Sequence, residues 1–509
     1  MQKEQPQVLD IVEGALANSR PFGDCDYIHQ CTWRHEERRL ELLEGRFPSS
    51  RALLSALRGA GPARRYRVLG DPVVRAAIHD AIGHHRLHVS HPRPEELEQI
   101  LRDAAVLAAG ERRDAPLAAD AARDIRLGDA PHHGFVWRGG DDDRPFSRRF
   151  AALFREKLPW LRPAAPDARD RRTLLQGARL LDALLPELAR SALAHAQLVV
   201  VAGPDVDAPA QARGFRSATV AGLCGTVVLG PVTLKTPWSA AEHLLHESMH
   251  LKFIDLELTH SVLRKGYRME RSPVVSPPWH RRDPSGLRDW TVNRMLTVLH
   301  VYVALALFFR AVERRAGELE AEFGPLGDLD PGREARRSFD RAHFLVHALR
   351  RHEGELGAAG RRFCAWLDCM LAAFDPSPPP AGSEVHLLLD LYAREAAALR
   401  DRLARSAGPP AAARLVEEIA TTELATARDV LAAIEGAPPL RDEPAPAATL
   451  AERLWEVRAR ISASLRRVPR EAYARRPAGS GKTPAELVRE MLDGSSDAVS
   501  ALLRELGPT

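Results

Sequence analysis

The sequence predicts a mostly helical α+β protein in which an HExxH helix and a second long helix lie beside a small sheet. Three observations predict it. Apolar residues recur at helical spacing through most of the chain, as in EERRLELLEGRF, DPVVRAAIHDAI and RRTLLQGARLLDALLPELARSALA. One stretch departs from that period: QLVVVAG from Gln197, then RSATV and GTVVLGPVTL, read as short strands broken by Gly and Pro. Directly after them, Thr236 and Pro237 form a helix start, with Thr as the cap and Pro at the first helical position.

The elements are expected in the following order. Residues 1–190 read as a helical N-terminal region. Residues 191–435 read as a metal-binding catalytic region whose core is 197–314. Within it, AAEHLLHESMHLKFIDLELTH continues the capped helix, RKGYRMERSPVVSPPWHRRDPSG is a loop, and a second helix runs from about Asp289 to Arg314. DPSPPPAGS, from Asp375, reads as a linker or long turn, and 436–448 as a Pro/Ala-rich linker with few bulky apolar residues. Residues 449–509 read as a small helical unit, in which Thr483-Pro484-Ala485-Glu486 forms a capping box. GSGKT in this unit is not a phosphate loop, because Arg476 stands where the first glycine belongs and no strand precedes it.

Composition excludes several classes. The chain has 509 residues, is 45% hydrophobic and carries a net charge of only +4, with both signs interspersed. No basic stripe of the kind nucleic-acid binders show is present. The N-terminal MQKEQPQVLDIVEG lacks the apolar run of a secretory signal. The longest apolar run, Val298 to Phe309, falls short of the roughly 20 residues a bilayer span needs, so no membrane is expected. Cys25, Cys31, Cys224, Cys364 and Cys369 are odd in number and show no CxxC spacing. Neither a disulfide framework nor a cysteine zinc site is expected, and the reducing cytoplasm is the simplest compartment.

His246-Glu247-Ser248-Met249-His250 is the motif that carries chemistry. Residues four apart on a helix share a face, so the two imidazoles can converge on one metal ion. Glu247 lies on the flank of that face, where it can orient or deprotonate a metal-bound water or hold a hydrogen bond behind the ligands. A third ligand is needed. His260 is ten residues past His250, about 15 Å along a continuing helix, which is too far. His300, mid-way along the second apolar helix, is the better candidate. His343 and His347 also stand four apart, but on an arginine-rich helix that reads as a solvated face. The histidine tract from Gly83 to His91 reads as a loop.

The stretch from Gly214 to Arg314 resembles the HExxH-type α-ketoglutarate-dependent peptide β-hydroxylases of ribosomal peptide natural product biosynthesis. GFRSATVAGLCGTVVLG resembles that family's Ser-containing strand pair, HESMHLK its HExxHxK, SPPWHRRDPSGL its Pro-Trp segment, and LHVYVAL its second helix. RYRVLGDPVVRAAI is also similar. The resemblance implies iron(II) ligands His246, His250 and His300, with Lys252, at the family's lysine, among the co-substrate contacts and Glu247 as the catalytic carboxylate behind the ligands. It also implies an arginine that grips the distal carboxylate of α-ketoglutarate. This chain has His280 directly after Trp279, so Arg281, Arg282 and Arg288 are the candidates. The implied reaction is hydroxylation of a side-chain carbon, at the β position, of a peptide such as a precursor with a leader. The same zincin-like helix supports two alternatives: a Zn(II) peptidase in which Glu247 activates water, and an inactive biosynthetic scaffold. The C-terminal unit is similar to a DinB-like helical domain.

Overall fold

The computed structural model describes residues 5–83, 92–110, 124–127, 130–137, 145–208, 214–280, 289–379, 384–405, 410–434, 437, 440, 449–475 and 481–505. The chain opens with six helices: α1 (Gln5–Asn18), α2 (Cys25–Leu43), α3 (Pro48–Gly59), α4 (Pro62–Leu69), α5 (Pro72–Ile82) and α6 (Pro94–Ala109). Strands β1 (Asp124–Leu127) and β2 (Ala130–Val136) follow, then α7 (Pro145–Lys157), β3 (Leu161–Ala164), α8 (Ala168–Leu184) and α9 (Pro186–Leu193). Next come β4 (Leu198–Pro204), β5 (Ser217–Ala218), β6 (Thr226–Leu229), the HExxH helix α10 (Pro237–Thr259), β7 (Val274–Val275) and β8 (Trp290–Thr291). Helices α11 (Val292–Phe323), α12 (Pro331–Arg351), α13 (Ala358–Phe374), α14 (Val385–Arg405), α15 (Pro410–Ala432), α16 (Leu450–Arg466) and α17 (Pro484–Glu505) complete it. The mostly helical α+β class is as the sequence predicts.

The chain divides into two compact units. The first contains residues 1–273, 292–339 and 352–375. Its sheet runs β1-β2-β4-β6-β5, with β3 added to β4. β4 is the hub: β6 lies parallel on one side, while β2 pairs in parallel with its first residues and β3 antiparallel with its last. β4 and β6, LVVVAGP and TVVL, are the runs visible in the sequence. β1 and β2 fall inside the stretch expected to be helical, and nothing in DIRL or APHHGFV announces a strand. Pairing with the edge of β4 decides them, which single-chain periodicity does not register.

α10 begins as expected. The Thr236 side chain accepts a hydrogen bond from the Ser239 amide, and Pro237 opens the first turn. Its burial is nearly all-round, with Trp238, Leu244, Leu245, Met249, Leu251 and Phe253 all at 2% exposure or less. A helix apolar on every side belongs in a core, and α10 packs against α8, α9, α11, α2 and β6. Gly177 of α8 permits a close approach to α10, since a Cβ there would lie 2.6 Å from the Cβ of Ala240.

α11 starts later and ends later than the expected Asp289–Arg314. Trp290 and Thr291 pair with β7 instead of joining the helix. Beyond Arg314, Ala316, Leu319 and Phe323 continue a buried stripe through a charged stretch. By length and composition α11 is the one helix among the described residues apolar enough to cross a membrane, but 83% of its most apolar window is buried within the protein. It is a core helix, packed against α10, α8 and α13.

The second unit contains residues 274–291, 340–351 and 376–509. Helices α14 to α17 form a bundle in which α14 packs on α16 and α15 on both α16 and α17. The stretch 436–448 therefore joins helices of one core: Val430, Ile434, Val457 and Ile461 share it, and Ala437 and Leu440 pack against it. The bundle encloses a charged network. Arg458 donates to the Glu423 carboxylate at 2.5 and 3.1 Å and to Ser495 Oγ at 2.7 Å, and Tyr392 donates to Glu423 at 2.6 Å. The Thr483–Glu486 capping box forms at the head of α17, Glu486 accepting the Thr483 amide at 2.6 Å and Thr483 Oγ1 accepting the Glu486 amide at 3.3 Å.

Candidate metal centre

The two histidines of the motif stand side by side on α10, their ring centroids 5.1 Å apart. The His246 side chain is 31% exposed. His250 keeps some surface, but its ring sits in a desolvated setting that pushes its pKa well down; the nearby His246 and Arg294 push it the same way. A neutral imidazole is the form that binds metal. Arg294, in the first turn of α11, is a residue the sequence reading did not single out.

Glu247 is 2% exposed. Burial raises its pKa, and the hydroxyls of Ser217 and Thr219 hold it back by hydrogen bonding to the carboxylate. Thr219 also lies 3.3 Å from the Glu247 backbone carbonyl. The Ser-containing strand β5 and its continuation are thus positioned against the motif helix through Glu247. The carboxylate still comes within 3.8 Å of His246 Nε2.

His300 is fully buried in α11 at 0% exposure. Neither ring nitrogen has a hydrogen-bond partner among the described residues. Its ring packs edge-on to Phe363 at 5.1 Å and lies 6.4 Å from Trp366. Burial drives its pKa well down, and Lys252, His250 and His195 lie close enough to add to that effect. An imidazole buried with both nitrogens unsatisfied costs several kcal/mol unless something binds it. The three imidazoles therefore suit a metal centre in donor type. The ligand atoms of His246, His250 and His300 do not, however, all lie within 4.8 Å of one another.

Lys252 behaves differently from the resemblance's implication. It is fully buried, and its Nζ donates to the carbonyls of Leu16 (3.1 Å) and Gly23 (2.6 Å) and to Ser191 Oγ (2.7 Å). All three ammonium protons are engaged within the protein, so Lys252 pins α10 to the end of α1, the turn before α2, and α9 rather than reaching a co-substrate. Arg281, Arg282 and Arg288 lie outside the described residues, as does the histidine tract 84–91. His260 ends α10, half-buried, with Nδ1 2.9 Å from Thr259 Oγ1. His343 and His347 are partly exposed on α12, in keeping with the solvated face expected of them.

One turn beyond Lys252 on the same face of α10, Asp255 anchors a buried network that the motif search did not find. Its Oδ1 accepts from Arg75 Nη1 at 2.6 Å, and its Oδ2 from Tyr66 at 2.5 Å, with His195 Nδ1 at 2.6 Å. Burial alone would raise the Asp255 pKa, but Arg75, His195 and Tyr66 together hold it far below the usual carboxylate range. Tyr66 and Arg75 both come from RYRVLGDPVVRAAI, so this N-terminal segment is tied to the HExxH helix by an ion pair. His29 of α2 stacks on Tyr66, with ring centroids 3.3 Å apart. Among the described residues, His29, His195 and Asp255 are the group whose ligand atoms all lie within 4.8 Å of one another.

No family model and no curated protein matches this chain. The functional reading therefore stands on the residues and their geometry.

Proposed function

We propose that the chain is an iron(II)- and α-ketoglutarate-dependent oxygenase that hydroxylates a side-chain carbon of a ribosomally made peptide, with His246, His250 and His300 holding the metal. The observation that carries this reading is His300: a buried imidazole with two unsatisfied nitrogens on the second helix, within electrostatic reach of His250. Iron with a chelating keto acid and dioxygen supplies oxygen insertion at an unactivated carbon, chemistry no side chain provides. The partly exposed His246 leaves the centre approachable by a peptide. Arg294 is the described arginine within electrostatic reach of His250 and joins Arg281, Arg282 and Arg288 as a candidate for the distal carboxylate, which a guanidinium binds bidentately. Glu247, buried and engaged by Ser217 and Thr219, supports the motif helix. The five cysteines are free thiols, in keeping with a reducing compartment such as the cytoplasm.

The test is direct. Purified protein is incubated anaerobically with Fe(II), then given α-ketoglutarate, air and candidate peptides, including any short peptide encoded beside its gene. A gain of about 16 Da in the peptide, one oxygen atom, with matching succinate supports the reading. Peptide cleavage with zinc, and no succinate at any iron loading, overturns it in favour of the peptidase.

A further inference from the structure

We propose that His29, His195 and Asp255 form a second metal site, which takes a divalent ion of the zinc type. The three residues come from α2, the turn after α9, and α10, and their ligand atoms lie within 4.8 Å of one another. A tetrahedral zinc ion with bonds of about 2.0–2.1 Å sets its ligands about 3.4 Å apart. Closure therefore needs movement of about an ångström, within the range of side-chain torsions.

The details favour a ligand set over a packed core. His195 is fully buried at 0% exposure. Its Nδ1 lies 2.6 Å from Asp255. A metal bound through Nδ1 would take the place of the shared proton, the two ligand atoms parting to about 3.4 Å. The opposite nitrogen, Nε2, is buried with no hydrogen-bond partner among the described residues. The His29 ring stands edge-on to it, with centroids 4.7 Å apart. Tyr66 and His195 occupy Asp255 Oδ2 and Arg75 occupies Oδ1, so loss of the His195 contact on metal binding frees the Oδ2 lone pair that the ion would take. Arg75 keeps that carboxylate ionised. Burial holds His195 toward the neutral form that binds metal.

Of the three ligands, His29 borders a cavity. This cavity, of about 580 Å³, is lined by His29, Tyr66, Tyr27, Trp33 and Arg65, among others. Water or a small anion in this cavity would complete the coordination and carry part of the ion's charge into solvent. Imidazole and carboxylate donors select a borderline transition-metal ion over calcium or magnesium.

The site is independent of the HExxH centre, and the experiment separates them. Zinc, or cobalt(II) as a spectroscopic substitute, is titrated into the full-length chain and into the His246→Ala/His250→Ala variant. We expect the variant to retain about one equivalent with tetrahedral cobalt absorption, and addition of His29→Gln to remove it. If the variant binds no zinc, or if His29→Gln leaves binding and absorption unchanged, the second site is overturned. Equal stoichiometry in the wild type and the double variant would instead count against the HExxH centre alone. A readout that needs no substitution at the buried site guards against misfolding. In the His246→Ala/His250→Ala protein, zinc should protect His29 from carbethoxylation, mapped at peptide level, by tenfold or more; equal modification with and without zinc overturns the proposal.

Discussion

Replacing Lys252 with Met should abolish a pH-dependent component of stability that the wild type carries. Lys252 is fully buried, and its pKa falls from 10.5 to about 7 because burial disfavours the charged form and the nearby Cys25 and Asp24 restore only part of it. At about 1.4 kcal/mol per pH unit, that fall corresponds to about 5 kcal/mol of penalty against the folded state. Below pH 7 the amine is charged in both states and the penalty is present in full. Between pH 7 and 10.5 the unfolded chain holds the proton and the folded chain does not, so stability rises with pH. Above 10.5 the penalty is gone. Met has similar length and does not titrate. Removal of the amine leaves Gly23 O with its bond from Ser191 Oγ at 2.7 Å, so the local turn keeps a donor. Urea unfolding at pH 7, 8, 9 and 10 and constant ionic strength, for both proteins, reads the effect, because groups remote from Lys252 titrate in both and cancel in the difference, leaving Lys252 and its coupling to the Cys25 thiol. Wild-type stability minus that of Lys252→Met should climb by several kcal/mol across this range. A difference constant to within about 1 kcal/mol would refute the reasoning and mean that Lys252 stays charged in the folded protein.

His300→Ala should lower bound iron to a fraction of wild type and stop turnover, whereas His260→Ala, which alters only the end of α10, should leave both near wild type; metal analysis after anaerobic loading and succinate release measure this. Glu247→Gln should keep most succinate formation if the chain is an oxygenase, since Gln still bonds to Ser217 and Thr219, whereas a peptidase would lose cleavage by orders of magnitude. Asp255→Asn strands Arg75 as an uncompensated buried cation and should cost about 3–5 kcal/mol at neutral pH, read as a lowered urea midpoint. Because the folded pKa of Asp255 is depressed, its contribution is complete above the unfolded value of about 3.9 and is lost as pH falls, so wild type and variant should converge in acid.

The features legible in the sequence are those set within a few residues. Thr236-Pro237 starts a helix, the spacing of His246 and His250 puts them on one face, and Thr483 with Glu486 caps another helix; each depends on contacts three or four positions away. The apolar runs of β4 and β6 are equally local. His300 was legible as a lone histidine on an apolar helix, but its neighbours were not, because the packing of α11 on α10 depends on how two nearly all-apolar helices interlock. The same limit hid the other polar stripe of α10. Lys252 and Asp255 lie on a face that periodicity marks only as helical. Their partners Leu16, Gly23, Tyr66, Arg75 and Ser191 come from 61 to 236 residues earlier in the chain. A buried charge needs a partner, and the sequence specifies the charge. Which distant segment supplies the partner is decided only when the helices close around it, since desolvation makes the pairing obligatory there and nowhere earlier.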